Sequence, residues 1–473
     1  MDTKEAWLSA RYTSTIWLTG VLGAYFFIFL LSELIINDHA AVALGGSYVV
    51  ANYSISIIFT GLGYLAFALS RRVFAGDVPR RGALSVFGLL YLASMSAVIF
   101  FAPASLFTAV TCICTLSMGY MGGFVHYHAA VALQGGNYTG RVIGVSYFFA
   151  VSLQFVTQYF AVTETALICS VAAATGLLFA IILRPSRDWL FENPLPYERA
   201  PTAAKKELWL TVAIVALISV IVGIYDGALT GLHAAGKLNL AGWPRLLLAV
   251  GELSAGELYD VRKRVYMPLF ALCAVLIFTL GIVFLYQASN FSMVLFYFFS
   301  SFYVVYFTVS FLDLAPRTSN PALWAGMGRI SRSFFIGLTA APSELWFSAA
   351  DQSTVITVNV LVFTVILVLF WLKGDLIPVW SDKLNDGSKK QTLGDFAAKY
   401  QFTPRETEVM EKILAGDKAI KELAAEVNIS ERVLYRYLSS LYEKTGASSR
   451  IGLLLLYYGG DNSSEKGGQN VLH

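Results

Sequence analysis

Residues 403–450 read TPRETEVMEKILAGDKAIKELAAEVNISERVLYRYLSSLYEKTGASSR. Three helical patterns follow one another here, separated by short polar breaks. Thr403 with Glu406 three residues on is a capping box, and Pro404 stands at the first helical position, where its missing N–H costs nothing. Val409, Ile413 and Leu414 mark one apolar face before Gly416 and Asp417 stop the helix. Ile420, Leu423, Ala424 and Val427 repeat at i, i+3, i+4 and i+7, which predicts a second helix over 420–427. Asn428-Ile429-Ser430 predicts a turn, with Ser430 as the N-cap of a third helix running from Glu431 to about Thr445. In that helix Val433, Leu434, Leu438 and Leu441 face inward, leaving Arg432, Tyr435, Arg436, Ser439 and Lys444 outward. Two short helices joined by a tight turn, the second basic and exposed, make a helix-turn-helix.

This run resembles the LuxR-type helix-turn-helix domain of bacterial transcription regulators over about 398–456. The resemblance rests on the opening TPRETEVM, on Lys421 to Ala424 (KELA), on Ile429-Ser430, and on Leu438 through Lys444 to Gly446 and Arg450. It implies a small four-helix domain that binds double-stranded DNA as a homodimer, with RNA polymerase as a further partner. The DNA-reading set it implies is Ser430, Arg432, Val433, Tyr435, Arg436, Tyr437, Ser439, Ser440 and Lys444. Two departures bear on which DNA sequence is read rather than on the fold. The loop after Gly416 is one residue longer than usual, and Tyr435 and Tyr437 stand where the family usually has Lys and His. Charge argues for a competing reading, a helical module used only for protein contacts, because basic and acidic residues nearly balance across 396–458. Phosphate neutralisation drives most non-specific DNA affinity, so one such domain would bind weakly and paired domains on two half-sites would be needed.

The rest of the chain is of another kind. Its 473 residues are 56% hydrophobic and only 14% charged, with mean hydropathy +0.62, whereas soluble domains carry about a quarter charged residues. An integral membrane protein with a soluble tail is expected. Cys112, Cys114, Cys169 and Cys273 all lie in apolar runs, which argues for buried thiols and against a disulfide framework. The first apolar run, from near Tyr12, is too long for a signal-peptide core and lacks a cleavage site, so a membrane anchor is expected instead.

A spanning helix needs about 20 mostly apolar residues. The runs that qualify are 13–36, 46–70, 82–102, 105–131, 139–163 and 165–184, then 208–230, 240–259, 265–287, 291–314, 321–346 and 354–374. The expected fold is all-α: twelve transmembrane helices in two sets of six, followed by the four-helix tail domain. The corresponding domains are a cytoplasmic N-terminus (1–12), a first membrane half (13–184), a cytoplasmic linker (185–207), a second half (208–374), a linker (375–395), the helix-turn-helix domain (396–458) and a disordered tail (459–473). Loop charge supplies an independent check. Arg71, Arg72, Arg80 and Arg81, then Arg141, then Arg184, Arg187, Arg199, Lys205 and Lys206, then Arg262, Lys263 and Arg264, then Arg317 fall in alternate loops, while the others offer little beyond Lys237. The positive-inside rule then places both termini in the cytoplasm of a cell whose plasma or inner membrane holds the chain.

The halves also look alike. Ile16-Trp17-Leu18-Thr19 with Glu33 matches Leu208-Trp209-Leu210-Thr211 with Asp226 in order and spacing, as duplicated six-helix units would. Residues 256–264 resemble the G-x-x-x-D-x-x-x-R element of major facilitator transporters in Gly256, Asp260 and Arg264. In the first half Gly63 is followed four residues later by Phe67, so the acid of that element is missing and a full transport cycle is in question.

Ionisable residues inside spanning segments are costly, so they are functional candidates by default. Glu33, Asp226, Arg245, Glu252 and Arg329 are the candidate ligand residues, with an arginine suited to a carboxylate or phenolate; Arg332 shares a face with Arg329. The competing reading is ion pairs that fix helix packing. His126 and His128 point to nearly opposite sides of one helix, unlike an i, i+4 metal pair, and packing or a hydrogen bond accounts for them better. Gly122-Gly123 and Gly135-Gly136 suit close helix packing and a loop. The aromatic run 291–307 either walls an apolar cavity or serves packing and lipid contact. No hydrolytic triad, Walker loop or zinc-ligand set is recognisable, so neither enzyme chemistry, a cofactor nor a metal is expected. No phospho-receiver segment is visible either. The combination reads as a one-component transcription regulator whose transporter-like membrane domain senses a small molecule. The alternatives are an active transporter with a regulatory tail, or one with a tail that docks protein.

Overall fold

The computed structural model describes residues 3–133, 136, 138–160, 163–183, 205–281, 290–349, 351–375, 393–414, 420–447, 453 and 456–457. The loop arginines Arg184, Arg187 and Arg199, Gly135, the stop at Gly416-Asp417, Arg450, most of both linkers and the tail 459–473 lie outside the described residues. The chain divides into two compact units, Met1–Leu376 and Ile377–His473.

A helix occupies each apolar run of the first unit. They are α1 (Thr3–Leu44), α2 (Val49–Val73), α3 (Asp77–Phe100), α4 (Ala104–Ala132), α5 (Thr139–Phe160), α6 (Glu164–Ile182), α7 (Lys205–Ala234), α8 (Leu246–Asp260), α9 (Met267–Gly281), α10 (Asn290–Leu314), α11 (Pro321–Ala349) and α12 (Gln352–Lys373). Among the described residues nine helical segments are long and apolar enough to cross a membrane, which makes the chain a multi-pass membrane protein. The helices α8 and α9 are 15 residues each, short of the usual span, and α11 carries Arg329 and Arg332. The run expected to begin at residue 240 enters its helix late. A single 3-10 turn, Trp243–Arg245, with Pro244 in it, precedes α8. At the other extreme α1 runs for 42 residues, well past the expected 13–36, until Gly45 turns the chain with φ +85.

Packing is densest between α2 and α4, α2 and α11, α7 and α11, and α5 and α8; of these, the α2–α11 and α5–α8 contacts join the first six helices to the last six. Both contacts are close enough to need glycine. A Cβ on Gly256 would lie 2.6 Å from the carbonyl oxygen of Gly140, and one on Gly337 would lie 2.7 Å from that of Ser54. Asp260 then ties α8 to the start of α5. Its Oδ1 accepts the Gly140 N–H at 3.0 Å and its Oδ2 the Arg141 N–H at 2.8 Å, while Arg264 pairs with Asp260 and Asp313. Gly122 is equally constrained, since a Cβ there would meet the Tyr25 hydroxyl at 2.0 Å.

One expectation needs correction. Cys112 and Cys114 are buried, but Cys169 and Cys273 are exposed on their helices. In a membrane bundle the outer surface is itself apolar, so an apolar neighbourhood in sequence does not imply burial. Of the two readings of the aromatic run on α10, packing and an interior wall hold for Phe296, Tyr297, Tyr303, Tyr306 and Phe307, which are all buried, while Phe291 is exposed.

In the second unit the described helices are α13 (Leu393–Lys399), α14 (Pro404–Leu414), α15 (Ile420–Glu426) and α16 (Glu431–Thr445). Their apolar stripes close one small core of Val409, Met410, Ile413, Leu423, Val427, Leu434, Leu438 and Leu441, with Phe396 of α13 against the rings of Tyr400, Phe402 and Tyr457. The capping box forms as the sequence predicts. Thr403 N–H donates to Glu406 Oε2 at 2.6 Å and Glu406 N–H donates to Thr403 Oγ1 at 3.3 Å. The turn between α15 and α16 puts Asn428 at φ +55, a conformation that a short polar side chain tolerates best after glycine.

Candidate functional site

One cavity of about 100 Å³ in the membrane unit brings all five sequence-predicted ligand residues together: Glu33, Asp226, Arg245, Glu252 and Arg329. They come from α1, α7, the turn before α8, α8 and α11, so residues remote in sequence converge at one depth. Their partnerships differ sharply. Asp226 Oδ2 accepts the Tyr53 hydroxyl at 3.0 Å and lies 3.7 Å from Arg332 Nη2. Arg245 donates through Nε and Nη2 to Gln154 Oε1, at 3.3 Å each, and through Nη1 to the Tyr297 hydroxyl at 3.4 Å. Gln154 in turn donates to the Leu30 carbonyl at 3.1 Å, and Tyr297 to that of Leu240 at 2.9 Å. Arg245 is therefore built into a network that links the start of α8 to α5 and α1.

Glu252 is 1% exposed and its Oε2 makes no hydrogen bond. Arg329 is 4% exposed. Its guanidinium carbon lies 5.1 to 5.6 Å from the ring centroids of Phe26, Phe29, Tyr147 and Phe307, a four-sided aromatic cage. Glu33 is half-buried on the same wall. Sequence reading missed Tyr53, Tyr147 and Gln154, which are uncharged and carry no periodic signal, whereas Tyr297 belongs to the aromatic run flagged as a cavity wall. Asn37 was findable, one helical turn beyond Glu33 on the same face. His126 lies behind the cage, its Nδ1 within 2.9 Å of the Gly122 carbonyl and 3.3 Å of the Tyr64 hydroxyl.

The second site is the exposed face of α16. Arg432, Tyr435, Arg436 and Ser439 are exposed at i, i+3, i+4 and i+7, Tyr435 by 56%. Ser430 occupies the N-cap position, its carbonyl accepting the Val433 and Leu434 N–H groups at 2.9 and 3.0 Å, and its hydroxyl makes no capping bond. Val433 and Tyr437 are half-buried, with Tyr437 packed on the tail core. The two remaining predicted contacts also bond within the domain. Ser440 Oγ donates to Glu406 Oε1 at 2.7 Å, and Lys444 Nζ to Glu406 Oε2 at 2.7 Å and to the Gln401 carbonyl at 3.0 Å.

Against desolvation, which raises it, these bonds and those from Thr403 hold the Glu406 carboxyl down to about 2. Residues 400–457 match the luxR family of bacterial regulatory proteins. The C-terminal unit is a LuxR-type helix-turn-helix domain, the DNA-binding module of transcription regulators. The chain is 31% identical over 87 residues to the "Probable HTH-type transcriptional regulator GfsR" of Streptomyces halstedii, which is 18% of this chain and 33% of that protein. It thus spans about a third of the curated relative it matches. The membrane unit resembles the fucose:proton symporter FucP of E. coli, with TM-score 0.50 and 13% identity over 75% of this chain and 98% of that one. The membrane unit has a major-facilitator-like fold.

Proposed function

We propose that this is a membrane-bound one-component regulator, in which a small molecule bound in the membrane cavity controls the LuxR-type domain. The observation that carries the reading is the cavity itself. Buried or half-buried charged side chains from α1, α7, α8 and α11 converge on it, in a chain that also carries a DNA-binding domain. Intramembrane charge is retained at such a cost where it serves a ligand or a conformational change. The twelve helices form two parallel six-helix halves, a reading supported by the placement of Glu33 and Asp226 on one cavity and by the matching α2–α11 and α5–α8 contacts. Both termini are cytoplasmic, as the loop charges argue, so the α16 face meets double-stranded DNA through Arg432, Tyr435, Arg436 and Ser439. Ligand control requires different affinity for two arrangements of the halves, and association of membrane units would raise the effective concentration of paired tails on DNA.

The test is deletion of residues 393–473, and separately Arg436→Ala, followed by transcript profiling. A regulator loses control of the same genes in both strains; unchanged transcripts in both would defeat the reading. A transporter with a regulatory tail is the second reading, favoured by the major-facilitator-like fold. Uptake into vesicles separates the two, since accumulation of a bound ligand belongs to a transporter and binding without accumulation to a sensor.

A further inference from the structure

Six buried polar atoms that make no hydrogen bond among the described residues line this one cavity: Asn37 Oδ1, Tyr147 OH, Glu252 Oε2, Arg332 Nε, and both Nε and Nη2 of Arg329. The other cavity arginines are committed, Arg245 to Gln154 and Tyr297, and Arg332 to Asp226. Arg329 is not. Ring faces around it stabilise its charge, yet they give its N–H groups no acceptor. Nε and Nη2 lie on the same edge of the guanidinium, the donor pair that receives both oxygens of one carboxylate. A buried donor left unmade is expensive, and two on one edge are a site waiting for a two-oxygen anion.

We propose that Arg329 is the anchor of a compact monocarboxylate ligand, held bidentately through Nε and Nη2 with its apolar body against Leu30, Val222 and Leu248. The proposal rests on reading this cavity as the ligand site. Size sets the class: about 100 Å³ is available, less than the roughly 150 Å³ cavity that holds a benzene ring. A short aliphatic chain bearing one carboxylate fits, and a ring or a sugar-sized polyol does not. The anchor also bridges the unit. Arg329 belongs to α11, while three of its four cage rings, Phe26, Phe29 and Tyr147, belong to α1 and α5. An acid seated on Arg329 touches both sides and so favours the arrangement in which they close on it.

The experiment titrates the full-length protein in lipid nanodiscs with acetate, propionate and butyrate, and with the carboxamide of each. At least one acid binds saturably, and its amide binds at least about tenfold more weakly, because the amide cannot offer two anionic oxygens. Arg329→Lys keeps the charge but loses the fork, and lowers affinity for the acid at least about tenfold. The ligand-free melting temperature of the variant shows that it is folded, and the acid-against-amide comparison on the unaltered protein needs no variant. The proposal is overturned if none of the acids binds, if amides bind as well as acids, or if Arg329→Lys binds unchanged. Binding through Arg329 that leaves DNA occupancy unmoved upholds the anchor and defeats the sensor reading. DNA occupancy that answers to the amides alone does the reverse.

Discussion

Lys444 Nζ stands 2.7 Å from Oε2 of Glu406, a carboxylate only 4% exposed in the tail domain. The same carboxylate closes the capping box with Thr403 and takes the Ser440 hydroxyl, so one side chain joins the start of α14 to the last turns of α16. Its folded pKa is depressed, so its contribution is fully present above the unfolded value of 4.5 and is lost as pH falls through about 2. With solvent screening allowed for, the drop from 4.5 to about 2 corresponds to about 1–2 kcal/mol of stability at neutral pH. Urea unfolding of residues 377–473 should lose that amount between those two pH values, and Glu406→Gln should flatten the profile. An equally steep profile in the variant would assign the acid sensitivity elsewhere.

The ion pair of Lys444 with Glu406 predicts how two basic residues of α16 differ. Arg436 is exposed, and Arg436→Ala should weaken binding to duplex DNA and lower the salt slope of log K by about 1, with little change in unfolding. Lys444→Met should instead destabilise the tail domain by about 1–3 kcal/mol, since it leaves the buried Glu406 without its cation. Gel-shift titrations across a salt series, paired with denaturation of the same samples, separate the two effects. Equal salt slopes for both variants would remove the distinction.

Asn428 makes the corner of the helix-turn-helix at φ +55. Asn428→Gly should be nearly neutral. Asn428→Val, β-branched and unsuited to this region, should cost about 1–2 kcal/mol and shift α16 on the core. The unfolding midpoint of the tail domain reads this directly, and a Val variant as stable as the Asn chain would contradict the geometry.

The tail was legible because its signals are local. A capping box, an i, i+3, i+4, i+7 stripe and a turn residue each fix their own few residues, and Thr403, Glu406, Val427 and Asn428 stand where those rules put them. The helices of the membrane unit were legible for the same reason, and the cost of intramembrane charge picked out all five cavity residues. What stayed hidden depends on contacts between distant segments. Nothing near Arg245 announces that Gln154 will satisfy it, and nothing near Arg329 announces that it will be caged and left unpaired. Ser440 and Lys444 look unpartnered by helical spacing, and only the position of α14 gives them Glu406 as a shared acceptor. Burial is also harder to read in a membrane bundle, where the outer face of a helix is as apolar as the inner one, as Cys169 and Cys273 illustrate.

The last prediction concerns the contact of α5 with α8. The first N–H groups of a helix lack intrahelical partners, and Asp260 supplies two acceptors to α5 from another helix, at 3.0 and 2.8 Å. The approach is possible only because Gly140 and Gly256 carry no Cβ. Asp260→Asn keeps the shape but replaces one acceptor by an N–H donor facing another N–H, and it removes the ion pair with Arg264. It should cost about 1–3 kcal/mol. Gly256→Leu should be worse, since its side chain must displace the α5 backbone. Thermal unfolding of the full chain in nanodiscs should therefore rank the unaltered protein above Asp260→Asn, and that above Gly256→Leu. If Asp260→Asn melts with the unaltered protein, the α5–α8 contact is held by its glycine packing alone and the carboxylate contributes nothing to it.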